Sequence, residues 1–227
     1  MAFSLTSLIP GVGPEYAHVA TAGIVTAGLV AAGLVGRAQL GSGEHAVVPA
    51  ARASIRGFFE FIVEFIQGLS DMVVGEHGRA MIPLFASVFT FVLVNNLVGV
   101  VPGMTPATEN LNTTLAMGLF IFLYYNYLGL KENGVHYLKH FLGPVLWLGP
   151  LMLVIELISH FVRPVSLGLR LANVMRGDHT VVGIFLDLVP IGLPIPFYIL
   201  GIFVCFFQAF VFTLLSMVYV AFATAHD

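Results

Sequence analysis

A short charged run, RPVSLGLRLANVMRGDH at 163–179, lies within one of the most apolar stretches of the sequence. It carries three arginines, an aspartate and a histidine, although the whole chain is 58% hydrophobic and only 9% charged. A charged side chain near the centre of a bilayer costs about 2.5–3.5 kcal/mol on insertion scales, and such residues usually mark ion paths or paired sites. The run therefore indicates an ion path or a paired site inside a membrane.

Five residues form a discontinuous polar line along this part of the chain: Glu156, His160, Arg170, Asp178 and His179. At about 1.5 Å per helical residue, Glu156 lies about 21 Å from Arg170, and His179 lies about 13 Å beyond Arg170. At about 100° per residue, Glu156 and Arg170 share one side of a helix, while His179 faces almost the opposite way. Because an arginine keeps its proton in practice, Arg170 would repel protons and hold a mobile carboxylate. No such carboxylate is evident on the neighbouring segments, which points to a counter-charge on another subunit.

A structural role for the arginines is the competing interpretation. In that case Glu156 or Asp178 would neutralise Arg170 within the helical bundle. The separation of about 21 Å argues against the Glu156 pair on one straight helix, because it exceeds the reach of the side chains. Arg163 and Arg176 are closer to the expected interfaces or wet cavities, and both are interpreted as anchors that reach towards water.

Composition predicts an all-α polytopic membrane protein, with a single membrane domain over 1–227. The mean hydropathy is +0.96, and the net charge of −3 does not suggest nucleic-acid binding. A crossing helix needs about 20 mostly apolar residues. Five segments satisfy this requirement, the fourth being roughly twice the needed length: about 16–36, 81–101, 112–130, 141–188 and 195–223.

The segment 52–75 differs from the five crossings. One polar stripe runs along it at spacings of three and four residues, and phenylalanine, isoleucine and leucine fill the remainder. This pattern predicts an amphipathic helix in the membrane interface, although a helix packed against other protein fits it as well. The stripe consists of Arg56, Glu60, Glu64, Gln67 and Asp71.

Basic residues predict the orientation of the chain. They flank the connection after the first crossing, the amphipathic helix and the connection before 141, whereas the N-terminal tail and the turns at 102–111 and 188–194 contain none. The positive-inside rule therefore predicts an external N-terminus and a cytoplasmic C-terminus. Five crossings satisfy this parity. The basic residues are Arg37, Arg52, Arg56, Arg79, Lys131 and Lys139.

Several motifs together resemble subunit a of F-type ATP synthases. The run RPVSLGLRLANVMRGDH is similar to the signature of that family, and Glu156 stands fourteen residues before Arg170, as a glutamate does in many members. The segment FFQAFVFTLLSMVYV resembles the final helix of the family, with Gln208 at its recurrent glutamine. NLVGVVPGMTP and NLNTTLA resemble its middle hairpin, so the resemblance spans roughly 50–222.

The resemblance implies a non-catalytic stator subunit, without a cofactor or metal of its own, in a bacterial plasma (inner) membrane. Its partners would be a ring of small helical hairpins that each carry a carboxylate (the c-ring), the peripheral stalk subunit b and the rest of the ATP synthase. The resemblance assigns Arg170 as the essential fixed cation between two offset half-channels. Glu156 belongs to the inner half-channel, His179 and Asp178 belong to the outer one, and Gln208 lies near Arg170. The last two crossings would be long and tilted around the ring.

Two positions depart from the family pattern. The usual asparagine four residues after the arginine is replaced by Val174, and Asn173 comes one residue earlier, which turns the amide by about 100°. A histidine or acidic residue is common seven residues before the final-helix glutamine, but Gly201 stands there. The outer half-channel is therefore expected to depend more on His179 and Asp178. Three glycines are interpreted as close-packing positions between helices: Gly168, Gly183 and Gly201.

Two other functions fit a polar line across a membrane. A self-contained ion-coupled secondary transporter is the alternative, but it would normally show repeats and a midplane site with broken helices. The sequence shows neither feature. A membrane assembly protein, whose charges only pair subunits, is the third interpretation.

Overall fold

A computed structural model describes residues 16–39, 54–101, 104–134, 149–188, 192 and 194–224. Six α-helices and two short 3₁₀ helices account for nearly all of the described residues, and none of these residues forms a strand. The α-helices are α1 (Ala17–Gln39), α2 (Ile55–Val73), α3 (Ile82–Val100), α4 (Leu111–Asn133), α5 (Gly149–Leu188) and α6 (Pro194–Thr224). The 3₁₀ helices are Glu76–Met81 and Ala107–Glu109.

The structure confirms the all-α class and the number of helices that can cross a membrane. Within the described residues, five helices are long and apolar enough to do so, namely α1, α3, α4, α5 and α6. The fifth of these, α6, begins at Pro194 and α5 ends at Leu188, close to the limits that hydropathy predicts. The first eight residues of the predicted segment 141–188 lie outside the described residues, as do Arg52 and Lys139.

The amphipathic segment forms α2, which is not among the five candidate spans. Its N-terminus is capped by Ser54, whose hydroxyl accepts a hydrogen bond from the backbone N–H of Gly57, a typical N-cap contact. Ile62 and Ile66 on its apolar side are buried, and α2 packs against α1, α3 and α6. Glu64 on its polar side is exposed. An interfacial position for α2 is therefore compatible with both faces and stays a prediction.

Aromatic and aliphatic side chains of α3 and α6 form the centre of the fold. Phe85 and Phe89 on α3 and Phe212 on α6 are at most 2% exposed. A polar connection crosses the same pair of helices, because the side-chain amide of Asn96 donates to the backbone carbonyl of Cys205. Cys205, the single cysteine of the sequence, is buried in this cluster.

Two glycines allow α4 and α5 to approach at backbone distance. A Cβ atom at Gly118 would lie 2.5 Å from the carbonyl oxygen of Pro164, and one at Gly168 would lie 2.9 Å from that of Thr114. Small residues of this kind let membrane helices pack closely, so the interpretation of Gly168 is confirmed. The same interpretation of Gly183 is wrong, because no heavy atom of the described residues lies within 4 Å of a Cβ added there.

Candidate functional site

Arg170 lies on the outward side of α5. Leu167, Leu171 and Met175 are buried on the inner side at intervals of four residues, which is one face of a helix. Arg170 is exposed, and it makes no ion pair within the described part of the chain. The structure therefore does not support the competing interpretation in which Glu156 or Asp178 neutralises it.

Exposed apolar side chains precede Arg170 along α5 in the isolated chain. Others come from α6. An exposed apolar surface of this kind faces lipid or a partner rather than water. Its larger members are Ile158, Val162, Val165, Leu169, Phe203 and Phe207.

A first polar cluster lies towards the N-terminal end of α5. The guanidinium of Arg163 donates to Glu156 at 3.1 Å and lies 5.9 Å from the ring centroid of Tyr219. Glu156, Arg163 and Arg170 are spaced by seven residues, which brings them to nearly the same side of the helix. The interpretation of Arg163 as an anchor in the interface missed this pair, although the spacing of seven contained the signal.

His160 belongs to the same region but faces the interior. It is 6% exposed, and its Nε2 lies 2.9 Å from Oδ1 of Asn126 on α4. The Asn126 amide in turn donates to the backbone carbonyl of Phe122. The imidazole also packs against the Phe122 ring, with the two ring centroids 4.9 Å apart. His160 therefore joins α4 to α5 through a polar contact in an aromatic environment.

A second polar cluster lies towards the C-terminal end of α5, around a cavity of about 380 Å³. Asp178 and His179 line this cavity together with Glu109 from the short helix before α4. Nδ1 of His179 lies 3.1 Å from Oε2 of Glu109. This hydrogen bond holds the pKa of Glu109 below its ordinary value. Arg176 donates to the backbone carbonyl of Glu109 at 3.2 Å.

Sequence reasoning missed Glu109. It is the acidic residue of the 102–111 turn, and the predicted topology places this turn on the same side of the membrane as His179. That coincidence was the available signal. The pairing itself joins residues that are 70 positions apart, so no local spacing reveals it.

Asp178 is arranged differently from His179. Its carboxylate makes no hydrogen bond or ion pair with another described residue, and a Cβ at Gly201 on α6 would lie 2.9 Å from its Oδ2. Gly201 is therefore a close-packing position, as expected, but its neighbour is a carboxylate rather than an apolar side chain. Because position 201 carries no side chain, unlike the usual family pattern, the Asp178 carboxylate fits against α6 there.

Gln208 and Asn173 are the remaining predicted residues. Gln208 is 7% exposed, and its Nε2 donates to no acceptor among the described residues. Asn173 is exposed on the side of α5 that carries Arg170, whereas Val174 is half-buried. The amide shifted by one position therefore still faces outward near the arginine.

The chain matches the family model of the ATP synthase A chain over residues 20–221. It is also 67% identical to ATP synthase subunit a of Bdellovibrio bacteriovorus over the full length of both chains. The chain belongs to the subunit a family of F-type ATP synthases. Subunit a of Trichlorobacter lovleyi is 47% identical over 74% of this chain and 73% of that protein. Subunit a of Geobacter sulfurreducens is 44% identical over 75% of each chain.

Membership of the subunit a family, together with five candidate spans, establishes a membrane subunit of the ATP synthase. Its function is ion transport linked to ATP synthesis, and the rest of the complex is its partner.

Proposed function

We propose that the chain is the proton-translocating stator subunit of the ATP synthase membrane sector, with Arg170 as the fixed cation between two offset half-channels. The observation that carries this proposal is an exposed arginine, without an ion pair among the described residues, on an apolar surface between two polar clusters. A permanent cation in the middle of a polar line repels protons, so protons cannot follow the line from end to end. They can cross only on a carrier that moves past the cation.

The c-ring is the proposed carrier and the proposed neighbour of the apolar surface. Each of its hairpins would bring a carboxylate past Arg170, whose positive field favours the charged form of that carboxylate. Away from the arginine, the lipid would favour the neutral, protonated form. A proton taken from one half-channel is thus carried through lipid and released into the other. About 2.3 kcal/mol per proton per 100 mV is available to drive this rotation.

The cluster around Glu156 is the proposed inner half-channel. Glu156 and Arg163 keep side-chain exposures of 37% and 28%, so the pair is open to its surroundings in the isolated chain. The distance of about 21 Å from Glu156 to Arg170 is too long for a direct proton transfer between them. Water would therefore complete this proton path. Glu156→Gln should slow proton flux without uncoupling the complex, because water in the half-channel can partly replace the lost carboxylate as a proton carrier.

The cavity beside Asp178 and His179 is the proposed outer half-channel. Asp178 follows Arg170 by eight residues and is displaced by about 80° around the helix, whereas His179 is displaced by about 180°. Asp178 therefore lies between His179 and the side of α5 that carries Arg170. The chain would be oriented in a bacterial inner membrane with its N-terminus outside and its C-terminus in the cytoplasm. Subunit b would connect it to the catalytic head.

Substitution of Arg170 tests the proposal. In the whole complex reconstituted in vesicles, Arg170→Ala should abolish proton-driven ATP synthesis and ATP-driven pumping while the complex still assembles. Passive proton leak should persist or rise, because the barrier between the half-channels is removed. Arg170→Lys should be a poor substitute, since a buried ammonium loses its proton and lacks the planar fork of a guanidinium.

Arg79→Ala is the matched control. Arg79 is exposed before α3, and it pairs with Asp71 at 3.5 Å, so its loss should leave coupling unchanged. Pumping by an assembled Arg170→Ala complex would contradict the proposed role of this arginine. A stable purified chain that transports ions alone would instead support the secondary transporter.

A further inference from the structure

Glu109 is presented to the second polar cluster from a rigid turn. Ala107 and Thr108 beside it are fully buried. The Thr108 hydroxyl donates to Oδ1 of Asn96 at 2.7 Å, and Asn96 is itself bonded to α6. These contacts tie the turn to α3 and α6, so the backbone that carries the Glu109 side chain is held in place.

The His179 ring is held on both of its nitrogen edges. Nδ1 faces the Glu109 carboxylate, and a Cβ at Gly99 on α3 would lie 2.6 Å from Nε2. The bond from Arg176 to the Glu109 carbonyl adds a second tie between α5 and the turn. The imidazole therefore has little freedom to turn and pass a proton from one nitrogen to the other side.

Asp178 has that freedom. Its carboxylate lines the same cavity, lies against Gly201 and has no partner among the described residues. It is also the group of this cluster that lies nearest in angle to the side of Arg170. Carboxylates in a wet cavity exchange protons readily, whereas a clamped ion pair keeps its own proton.

We propose that Glu109 is a positioning residue that clamps His179, so that Asp178 is the group that exchanges protons with the cavity. This proposal rests on the proposed function of the cavity as a half-channel. One proton moves from cavity water to the Asp178 carboxylate and then to the ring carboxylate, while the Glu109–His179 pair keeps its proton throughout. The other polar or charged side chains at this cluster are Arg176 and Thr180 from α5, Tyr198 from α6 and Thr105 from the turn before α4.

Five variants of the whole complex in vesicles test the clamp, with ATP synthesis driven from the outer side as the readout. Glu109→Gln keeps the size and the backbone carbonyl but removes the charge, and it should slow synthesis several-fold, up to about tenfold, the net value of one typical hydrogen bond. Glu109→Asp should restore most of the rate. The double variant Glu109→Gln/His179→Ala should be no slower than His179→Ala alone. Asp178→Asn should be slower than any of them.

Glu64→Gln is the control, since Glu64 is an exposed carboxylate on α2 without an ion pair among the described residues, and its rate should equal that of the parent. The clamp would be overturned if Glu109→Gln made ATP at the rate of the parent. It would also be overturned if the slowing in the double variant equalled the product of the slowing in the two single variants. An unchanged rate for Asp178→Asn would overturn the assignment of the exchanging group. These results leave the role of Arg170 intact, whereas coupled pumping by Arg170→Ala removes the proposed function whatever Glu109 does.

Discussion

The contact between α4 and α5 gives a quantitative prediction for Gly118→Ala. The added Cβ would lie 2.5 Å from the Pro164 carbonyl oxygen, while ordinary contact begins near 3.4 Å, so the helices must separate by about 0.9 Å (3.4 − 2.5). Overpacking of this kind costs about 1–3 kcal/mol. The alanine recovers about 1 kcal/mol of helix propensity. A net loss of up to about 2 kcal/mol follows.

The displacement also reaches the functional site. Gly168 meets α4 in the same contact and precedes Arg170 by two residues, so a shift of α5 moves the guanidinium. A misplacement of about 1 Å can cost about 100-fold in a positioned reaction. Gly118→Ala should therefore reduce ATP-driven pumping much more than it reduces the amount of assembled complex.

Thermal unfolding of the purified complex and pumping in vesicles measure the two effects. Gly68→Ala is the control, because a Cβ at this exposed position of α2 meets no atom within 4 Å and should be neutral or slightly stabilising. The reasoning fails if Gly118→Ala matches Gly68→Ala in both assays, since α4 and α5 would then tolerate a side chain between their backbones.

Two further predictions concern pH and topology. The hydrogen bond with His179 lowers the pKa of Glu109 from its ordinary value of 4.5. The bond therefore stabilises the folded protein above pH 4.5, and this stabilisation is lost as the pH falls through the lower pKa of the folded state. The thermal midpoint of His179→Ala should thus fall less than that of the parent on acidification below this pH, and an equal fall would contradict the contact. For topology, a cysteine at Thr105 should react with an impermeant reagent from outside and one at Lys131 from the cytoplasm, and the reverse pattern would refute the orientation. Cys205 is 1% exposed and should give little background.

The helices were predictable because apolar length is a local property. A segment needs about 20 apolar residues to cross a bilayer, and the sequence shows these runs directly. The amphipathic character of α2 was equally local, because its stripe repeats every three or four residues. Neither inference depends on which helix packs against which.

The pairings in the site were harder to predict because they are set by tertiary packing. Sequence reasoning identified His179, yet its partner Glu109 comes from another element. It also treated Gly168 and Gly183 alike, although one meets a backbone and the other meets nothing within 4 Å. A glycine shows that a side chain is missing, but only the neighbouring helix shows whether the space is needed.

The three arginines of the charged run now have different explanations. Arg163 is paired with Glu156, and Arg176 donates to the backbone of the turn before α4. Only Arg170, among these three, has no acceptor within the described residues, and it stands on an apolar surface. An uncompensated charge removed from water costs several kcal/mol. In the proposed function, Arg170 therefore takes its counter-charge from another molecule, whereas the chain itself provides partners for the flanking arginines. The proposed ring carboxylate, which would arrive and leave with a rotating partner, would meet this requirement, whereas a permanent acceptor within the chain would hold the arginine and prevent the exchange.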